Sequence, residues 1–100
     1  MLVCAAIKAE DGTIFKGWRH CYILQEVLKS GFSRRSVHSA NQGFMDDQGN
    51  WLDRETAAQH ALDCGQVEKL KYQQHLIFSE ELWDMKGQHY ANHPFPNKNA

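Results

Sequence analysis

The sequence predicts an α+β domain, in which a small, mostly antiparallel sheet built from two hairpins carries two to three helices. Three observations lead to this prediction. Two pairs of short apolar runs each enclose an acidic, glycine-containing turn, as β-hairpins do. A segment after each hairpin places apolar residues at steps of three and four, which is typical of amphipathic helices. The 100 residues, 42% of them hydrophobic and 23% charged, fit one small domain.

The first hairpin is predicted in residues 2–18, where Asp11-Gly12 separates two apolar runs. An Asp-Gly pair in this position is the strongest short-range hairpin signal. A helix is predicted over about 20–30, because His20 and four aliphatic residues share one stripe and a serine-glycine pair then ends it.

The middle of the chain predicts a loop, a second hairpin and a second helix. Residues 33–40 have no helical period and are too polar to be buried, so they are interpreted as a loop with room for an edge strand. The second hairpin is predicted in residues 42–52 around the acidic turn 46–50. Asp53 then stands at an N-cap position, and the alanine-rich helix that follows ends at Gly65.

The C-terminal third gives weaker signals. Residues 68–75 fit a helix or a strand, and residues 76–78 form a short apolar run that is typical of a strand. Ser79 is placed to cap a final short helix. We therefore predict one globular domain over 1–86, followed by a polar and flexible tail over 87–100.

Charge and cysteine content exclude several classes of protein. The formal charge of −1 excludes a strongly basic nucleic-acid clamp. Because the sequence offers neither a membrane-spanning run nor a signal peptide, we expect a cytosolic protein that does not bind membranes. The odd set of Cys4, Cys21 and Cys64 implies neither disulfides nor a zinc site, so we expect three small buried hydrophobes.

The near-neutral balance hides an uneven distribution of charge. Residues 16–35 contain five cations and one acid, namely Lys16, Arg19, Lys29, Arg34 and Arg35 against Glu26. This basic stretch favours a small anionic ligand.

Seven spaced motifs point to a family. They are EDGTI at 10–14, GWRH at 17–20, QGF at 42–44, GNW at 49–51, RETAA at 54–58, GQV at 65–67 and FSEELW at 78–83. Over roughly residues 3–83 the chain thereby resembles a family of small proteins widespread in bacteriophage genomes. The resemblance extends to phage sponge proteins, of the anti-CBASS or anti-Thoeris type, which sequester the cyclic-nucleotide signals of bacterial immunity. It implies a non-enzymatic protein of the host cytoplasm, with no cofactor and no metal.

A cyclic nucleotide needs cations or helix N-termini for its phosphates and aromatic faces for its bases. The predicted ligand-binding residues are Lys16, Trp18, Arg19, His20, Gln42, Phe44, Trp51 and Arg54. Whether Arg34 and Arg35 join them stays open. Because such ligands often have two-fold symmetry, we expect a homo-oligomer, a dimer or larger.

Several of these residues also fit a role in stabilising the fold rather than in binding a ligand. Arg19 fits a salt bridge to Asp53 or Glu55, and His20 fits a buried, hydrogen-bonded histidine. Phe44 and Trp51, at hairpin spacing, fit the core.

Two other functions stay open. A small phosphodiesterase would use His20 and His38 as acid and base. A direct inhibitor of a host defence protein would use exposed patches such as Asp46-Asp47, or Glu80-Glu81 with Trp83.

Overall fold

A computed structural model of the chain describes residues 1–89, except for the side chains of residues 36, 37 and 39. The elements are β1 (Leu2–Lys8), β2 (Ile14–Gly17), α1 (His20–Lys29), β3 (Gln42–Asp46), β4 (Trp51–Asp53) and α2 (Arg54–Asp63). The strands form one antiparallel sheet in the order β2-β1-β3-β4. The predicted α+β class is confirmed.

Both predicted hairpins are present. In the first, Gly12 adopts a φ of 93°, and the Asp11 side chain accepts a hydrogen bond from the backbone N–H of Thr13 at 2.9 Å. In the second, the Asp46 carboxylate accepts from the backbone N–H of Gln48 at 2.9 Å and of Asn50 at 2.8 Å. Short acidic side chains therefore close both turns, as the sequence pattern predicts.

The core lies on one face of the sheet, beneath both helices. Its fully buried members from the strands, from α2 and from the C-terminal segment are Leu2, Ala5, Ile7, Phe44, Ala57, Ala61, Ile77 and Leu82. The alanines of α2 bring that helix close to the sheet. Asp53 caps α2 as predicted, because its carboxylate accepts from the backbone N–H of Thr56 at 2.8 Å.

Residues 33–40 form no strand, in agreement with the predicted loop, and the edge strand for which that loop left room is absent. The segment contains short 3₁₀ turns over Arg34–Val37 and Ser39–Asn41. Ser33 Oγ accepts from the N–H of Arg35 at 3.3 Å, so a local side chain takes the place of a strand partner.

The apolar run 76–78 forms no strand either. The buried carboxylate of Glu81 accepts from the backbone N–H of Lys71 at 2.6 Å and of Phe78 at 2.9 Å. A side chain thus supplies the acceptors that a neighbouring strand would otherwise provide. The predicted final helix is a single 3₁₀ turn, Ser79–Glu81.

The cysteine prediction is corrected as well. Cys21 and Cys64 are exposed, and Cys4 is half-buried. Cys21 lies on the outer side of α1, whose buried residues are His20, Ile23 and Val27.

The chain continues to pack against the domain beyond residue 86. Trp83 and His89 form an isolated antiparallel bridge, and the buried amide of Gln66 contacts His89 Nε2 at 2.9 Å. We call residues 84–89 the C-terminal turn. Of the predicted tail, residues 90–100 lie outside the described residues.

Within residues 1–89, no helix has the length and apolar character needed to cross a membrane.

Candidate functional site

A surface depression of about 220 Å³ lies where β2 ends and α1 begins, and we call it the β2–α1 depression. The residues that give it chemical character are Lys16, Trp18, Arg19, Tyr22, Glu26 and Met85. The Cβ position of Gly17 faces α1, so the side chain of the preceding Lys16 leaves β2 on the opposite face of the sheet. One cation, Arg19, and two aromatic rings therefore meet on the α1 side of the depression.

The local backbone explains why these groups converge. Gly17 ends β2, and a Cβ there would lie 3.0 Å from Ile23 Cγ1, so glycine lets α1 approach the strand closely. Arg19 is the N-cap residue of α1 and has extended backbone angles. Among the described residues no side chain caps this helix, and its first turn contains no acid. The charges of Glu80 and Asp84 reach its first residues, His20 and Arg19, from the C-terminal segment.

Arg19 is mostly buried, with 9% of its surface exposed. Its Nη1 donates to the carbonyl oxygen of Trp18 at 2.9 Å and to that of Ser79 at 3.5 Å. Backbone carbonyls therefore fix the guanidinium in place at the edge of the depression.

The other polar groups of the depression are exposed. Tyr22 is 57% exposed, and Lys16 and Glu26 also face solvent. The side chains of these three residues make no hydrogen bond and no ion pair within the described part of the chain. They are available to a ligand.

Trp83 and Gly87 pack against the Trp18 ring. The Trp18 and Trp83 ring centroids lie 5.6 Å apart, and 36% of Trp18 stays exposed. Gly87 approaches Trp18 so closely that a Cβ on residue 87 would clash with the indole. The C-terminal turn therefore supports Trp18 and, through Met85, supplies one wall of the depression.

A second polar cluster lies beneath the surface. His20 is 6% exposed, its Nε2 contacts the carbonyl oxygen of Gly43 at 2.7 Å, and its Nδ1 contacts Arg54 Nη2 at 3.2 Å. Because a guanidinium only donates, Nδ1 must accept and Nε2 must carry the proton. Burial, aided by the nearby Arg54 charge, lowers the pKa of His20 to about 4. The ring is therefore neutral and bonded at both nitrogens.

Arg54 completes this cluster, which we call the His20–Arg54 pair. Its guanidinium lies 4.9 Å above the centre of the Phe78 ring, and its buried Nε has no hydrogen-bond partner among the described residues. Burial lowers the pKa of Arg54, and the charge of Glu80 opposes that shift. Arg54 also lines a separate groove of about 340 Å³ with Asp53 and Glu55.

The remaining predicted site residues lie elsewhere. Phe44 is fully buried, 5.2 Å from the His20 ring, so it belongs to the core and offers no face for stacking a base. Trp51 lies on the helix-free face of the sheet, where its ring covers Gly43 and Lys8 Nζ sits 5.4 Å from its centre. Gln42 is half-buried and pairs with Ile7 in the sheet. Of the eight predicted residues, Lys16, Trp18 and Arg19 therefore share the depression.

The structure also places the residues that were predicted for a direct inhibitor and for a phosphodiesterase. Asp46 is used within its own turn, and Asp47 binds the N-terminal ammonium group at 3.1 Å. Glu81 and Trp83 are each 3% exposed. Asp47 and Glu80 are exposed, whereas the residues predicted to join them, Asp46, Glu81 and Trp83, are buried. Arg34, Arg35 and His38 are exposed and are not among the residues lining the depression.

Sequence reasoning missed three members of the depression. Tyr22 and Glu26 follow Arg19 at helical steps of three and seven, so the α1 periodicity places all three on one face. This spacing could therefore have predicted Tyr22 and Glu26 as members of the site. Met85 is more than 50 residues away along the chain, and no local pattern predicts its contact.

Comparison with known proteins gives one match. The model of the family described as "Phage T4 y16D protein" matches residues 1–83. No curated protein and no solved structure matches the chain.

Proposed function

We propose that this chain, which belongs to the phage T4 y16D protein family, is a non-enzymatic immune-evasion protein that sequesters a cyclic (oligo)nucleotide signal of bacterial anti-phage defence. The site of capture is the β2–α1 depression. The observation that carries the proposal is the meeting of a guanidinium, two aromatic rings and the N-cap residue of an uncapped helix in that depression.

The phosphate binds at the N-terminal end of α1. Arg19 contributes a guanidinium already held by two carbonyls. Lys16 leaves β2 on the opposite face of the sheet and adds positive charge at the edge of the depression. Free backbone N–H groups of a helix start add to this attraction for anions. The start of α1 has no capping carboxylate among the described residues, and this supports the placement, because such a carboxylate would repel a phosphate.

The base stacks on the aromatic rings. Trp18 is rigid because Trp83 and Gly87 support it, whereas Tyr22 stands freely on α1. Stacking of a base on an aromatic side chain is worth roughly 1–3 kcal/mol. A rigid ring preserves more of that free energy, because little side-chain entropy is lost on binding.

The size of the depression supports an oligomer. Pockets for drug-sized ligands occupy roughly 300–1,000 Å³, and one copy of this chain offers about 220 Å³. One copy therefore accommodates about one nucleotide unit. A cyclic dinucleotide with two-fold symmetry is enclosed when two copies present the same depression to its two halves.

The geometry favours capture over hydrolysis. An acid–base mechanism needs a histidine nitrogen within reach of the substrate, and both ring nitrogens of His20 are engaged in the interior. A phosphodiesterase built on His20 and His38 is therefore less well supported than a sponge of the host cytoplasm.

The test is titration calorimetry with a panel of cyclic di- and trinucleotides, followed by heating to release the ligand. We expect intact ligand to be recovered, and Lys16→Gln and Tyr22→Ala to weaken binding. Lys29→Gln, an exposed lysine at the other end of α1, is the matched control.

Three outcomes would overturn the proposal. Absence of binding across the panel contradicts nucleotide capture, and recovery of linear products indicates an enzyme instead. Capture of a host defence protein without nucleotide binding indicates direct inhibition. Light scattering with and without ligand tests the oligomer, and a monomer in the ligand complex contradicts the shared site.

A further inference from the structure

We propose that the β2–α1 depression selects guanine and that Glu26 is the residue that recognises the base. This inference rests on the proposed function, because it specifies the nucleotide that the same depression takes. It depends on the position of Glu26, on its lack of a partner and on the chemistry of a carboxylate.

The position fits that of a base rather than a phosphate. Glu26 follows Tyr22 by four residues, so the two side chains are neighbours on one face of α1. Glu26 follows His20, the first residue of the helix, by six positions, which corresponds to about 9 Å along the axis. A phosphate at the start of α1 therefore directs the attached nucleoside along the helix, past the aromatic rings and towards Glu26.

The Glu26 carboxylate is free to accept hydrogen bonds. The residue is exposed, and the bonds from Ser30 go to its backbone carbonyl rather than to its side chain. Its carboxylate has no hydrogen bond and no ion pair with another residue in the described range 1–89. Among the described residues that line the depression, it is also the one acid.

A carboxylate distinguishes the bases because it only accepts hydrogen bonds. Guanine presents two neighbouring donors, N1–H and the 2-amino group, which match the two carboxylate oxygens. Adenine and cytosine each present one donor beside a ring-nitrogen acceptor, which the second oxygen repels. Uracil presents one donor between two carbonyl oxygens. Guanine is therefore the common base whose edge satisfies Glu26 without repulsion.

The experiment compares 3′,3′-cyclic di-GMP, 3′,3′-cyclic di-AMP and 3′,3′-cyclic di-IMP, whose hypoxanthine base lacks the 2-amino group. We expect the wild-type protein to bind cyclic di-GMP about tenfold or more tightly than cyclic di-AMP, with cyclic di-IMP between them. Glu26→Gln should remove most of this preference. Glu68→Gln, which neutralises another exposed acid without a described partner, is the matched control and should preserve it.

The possible failures can be told apart. Equal affinity of the wild-type protein for cyclic di-GMP and cyclic di-AMP overturns guanine selection and leaves nucleotide capture intact. A preference that survives in Glu26→Gln overturns the role of Glu26. Absence of binding to all three ligands and to the wider panel overturns the proposed function together with this inference. Circular dichroism of Glu26→Gln should match that of the wild type, since the residue is exposed.

Discussion

Two polar clusters lie next to each other at the start of α1, and they differ in what surrounds their charged groups. In the His20–Arg54 pair, the imidazole is buried and bonded on both sides by protein atoms. In the β2–α1 depression, the side chains of Lys16, Tyr22 and Glu26 face solvent without partners in the described part of the chain. Lys16 and His20 are only four residues apart in the sequence, yet the side chain of Lys16 is exposed to solvent and that of His20 is buried.

The difference separates residues that stabilise the fold from residues that we propose bind a ligand. A buried polar group costs free energy unless the protein satisfies it, so the His20–Arg54 pair is a structural link between α1, β3 and α2. An exposed polar group at a concave surface costs little in the free protein. Changes in the pair should therefore alter stability, and changes in the depression should alter binding.

The largest expected effect is a loss of stability in acid that originates in the pair. Burial holds the pKa of His20 at about 4, whereas its ordinary value is 6.5. As the pH falls below 6.5, the unfolded chain takes up a proton that the folded chain refuses, so the free energy of unfolding decreases. The decrease amounts to about 3 kcal/mol once the pH reaches 4. Urea denaturation at pH 7 and pH 4 measures it.

The matched variants for this measurement are His20→Gln and His75→Gln. Glutamine can donate to Gly43 and accept from Arg54, but it does not titrate. His20→Gln should lose most of the pH dependence between 6.5 and 4, and His75→Gln, at an exposed position, should retain it. An unchanged pH dependence in His20→Gln would show that another group is responsible.

A smaller effect is expected when a cation is removed from each cluster in turn. Arg54→Met leaves His20 Nδ1 without a donor and removes the cation from the Phe78 ring, at a cost of about 2 kcal/mol. Lys16→Met should change the free energy of unfolding by less than about 0.5 kcal/mol, because the ammonium group is exposed. Denaturation of both variants at neutral pH checks this, and equal losses would erase the proposed distinction.

The smallest expected effect concerns the wall of the depression. Gly87 and Gly12 both have positive φ, 84° and 93°, so alanine strains the backbone at either position. At Gly12 no atom lies within 4 Å of an added Cβ, whereas at Gly87 the Cβ would clash with Trp18. Gly87→Ala should therefore be more destabilising than Gly12→Ala by about 1 kcal/mol.

Fluorescence and ligand binding of Gly87→Ala and Gly12→Ala provide a second test of the support that the C-terminal turn gives Trp18. Gly87→Ala should shift the Trp18 fluorescence and weaken nucleotide binding, whereas Gly12→Ala should do neither. Equal stability and equal spectra of the two variants would mean that the C-terminal turn does not support Trp18.

The elements with strong local signals could be predicted from the sequence. Asp11-Gly12 marks the first hairpin, and Asp53 marks the start of α2, because turns and caps depend on residues close to one another in the chain. The run 76–78 is apolar because it is packed in the core, where Ile77 is fully buried, and a buried strand would show the same composition. The backbone N–H of Phe78 donates to the Glu81 side chain instead of to a neighbouring strand, and local periodicity does not predict this.

The site was predictable only in part. The Trp18-Arg19-His20 junction indicates where charge and aromatic surface meet, but its three side chains divide between the depression and the interior. The environment of His20 depends on Gly43 and Arg54, which approach from distant parts of the chain. The wall formed by Met85 depends on how the C-terminal turn folds back, which is likewise a tertiary property.

The C-terminal turn lies beyond residues 1–83, the segment that matches the family model, yet it contributes Met85 to the depression and Gly87 to the support of Trp18. Its own shape is locally determined, because the Asp84 carboxylate accepts from the N–H of Lys86 at 2.8 Å and of Gln88 at 3.0 Å. The loop closes itself, but Gly87 and His89 also pack against Trp18 and Gln66. Met85, which lines the depression without either of these contacts, is therefore the position in this turn where a new side chain would change the wall and leave the packing of the turn in place.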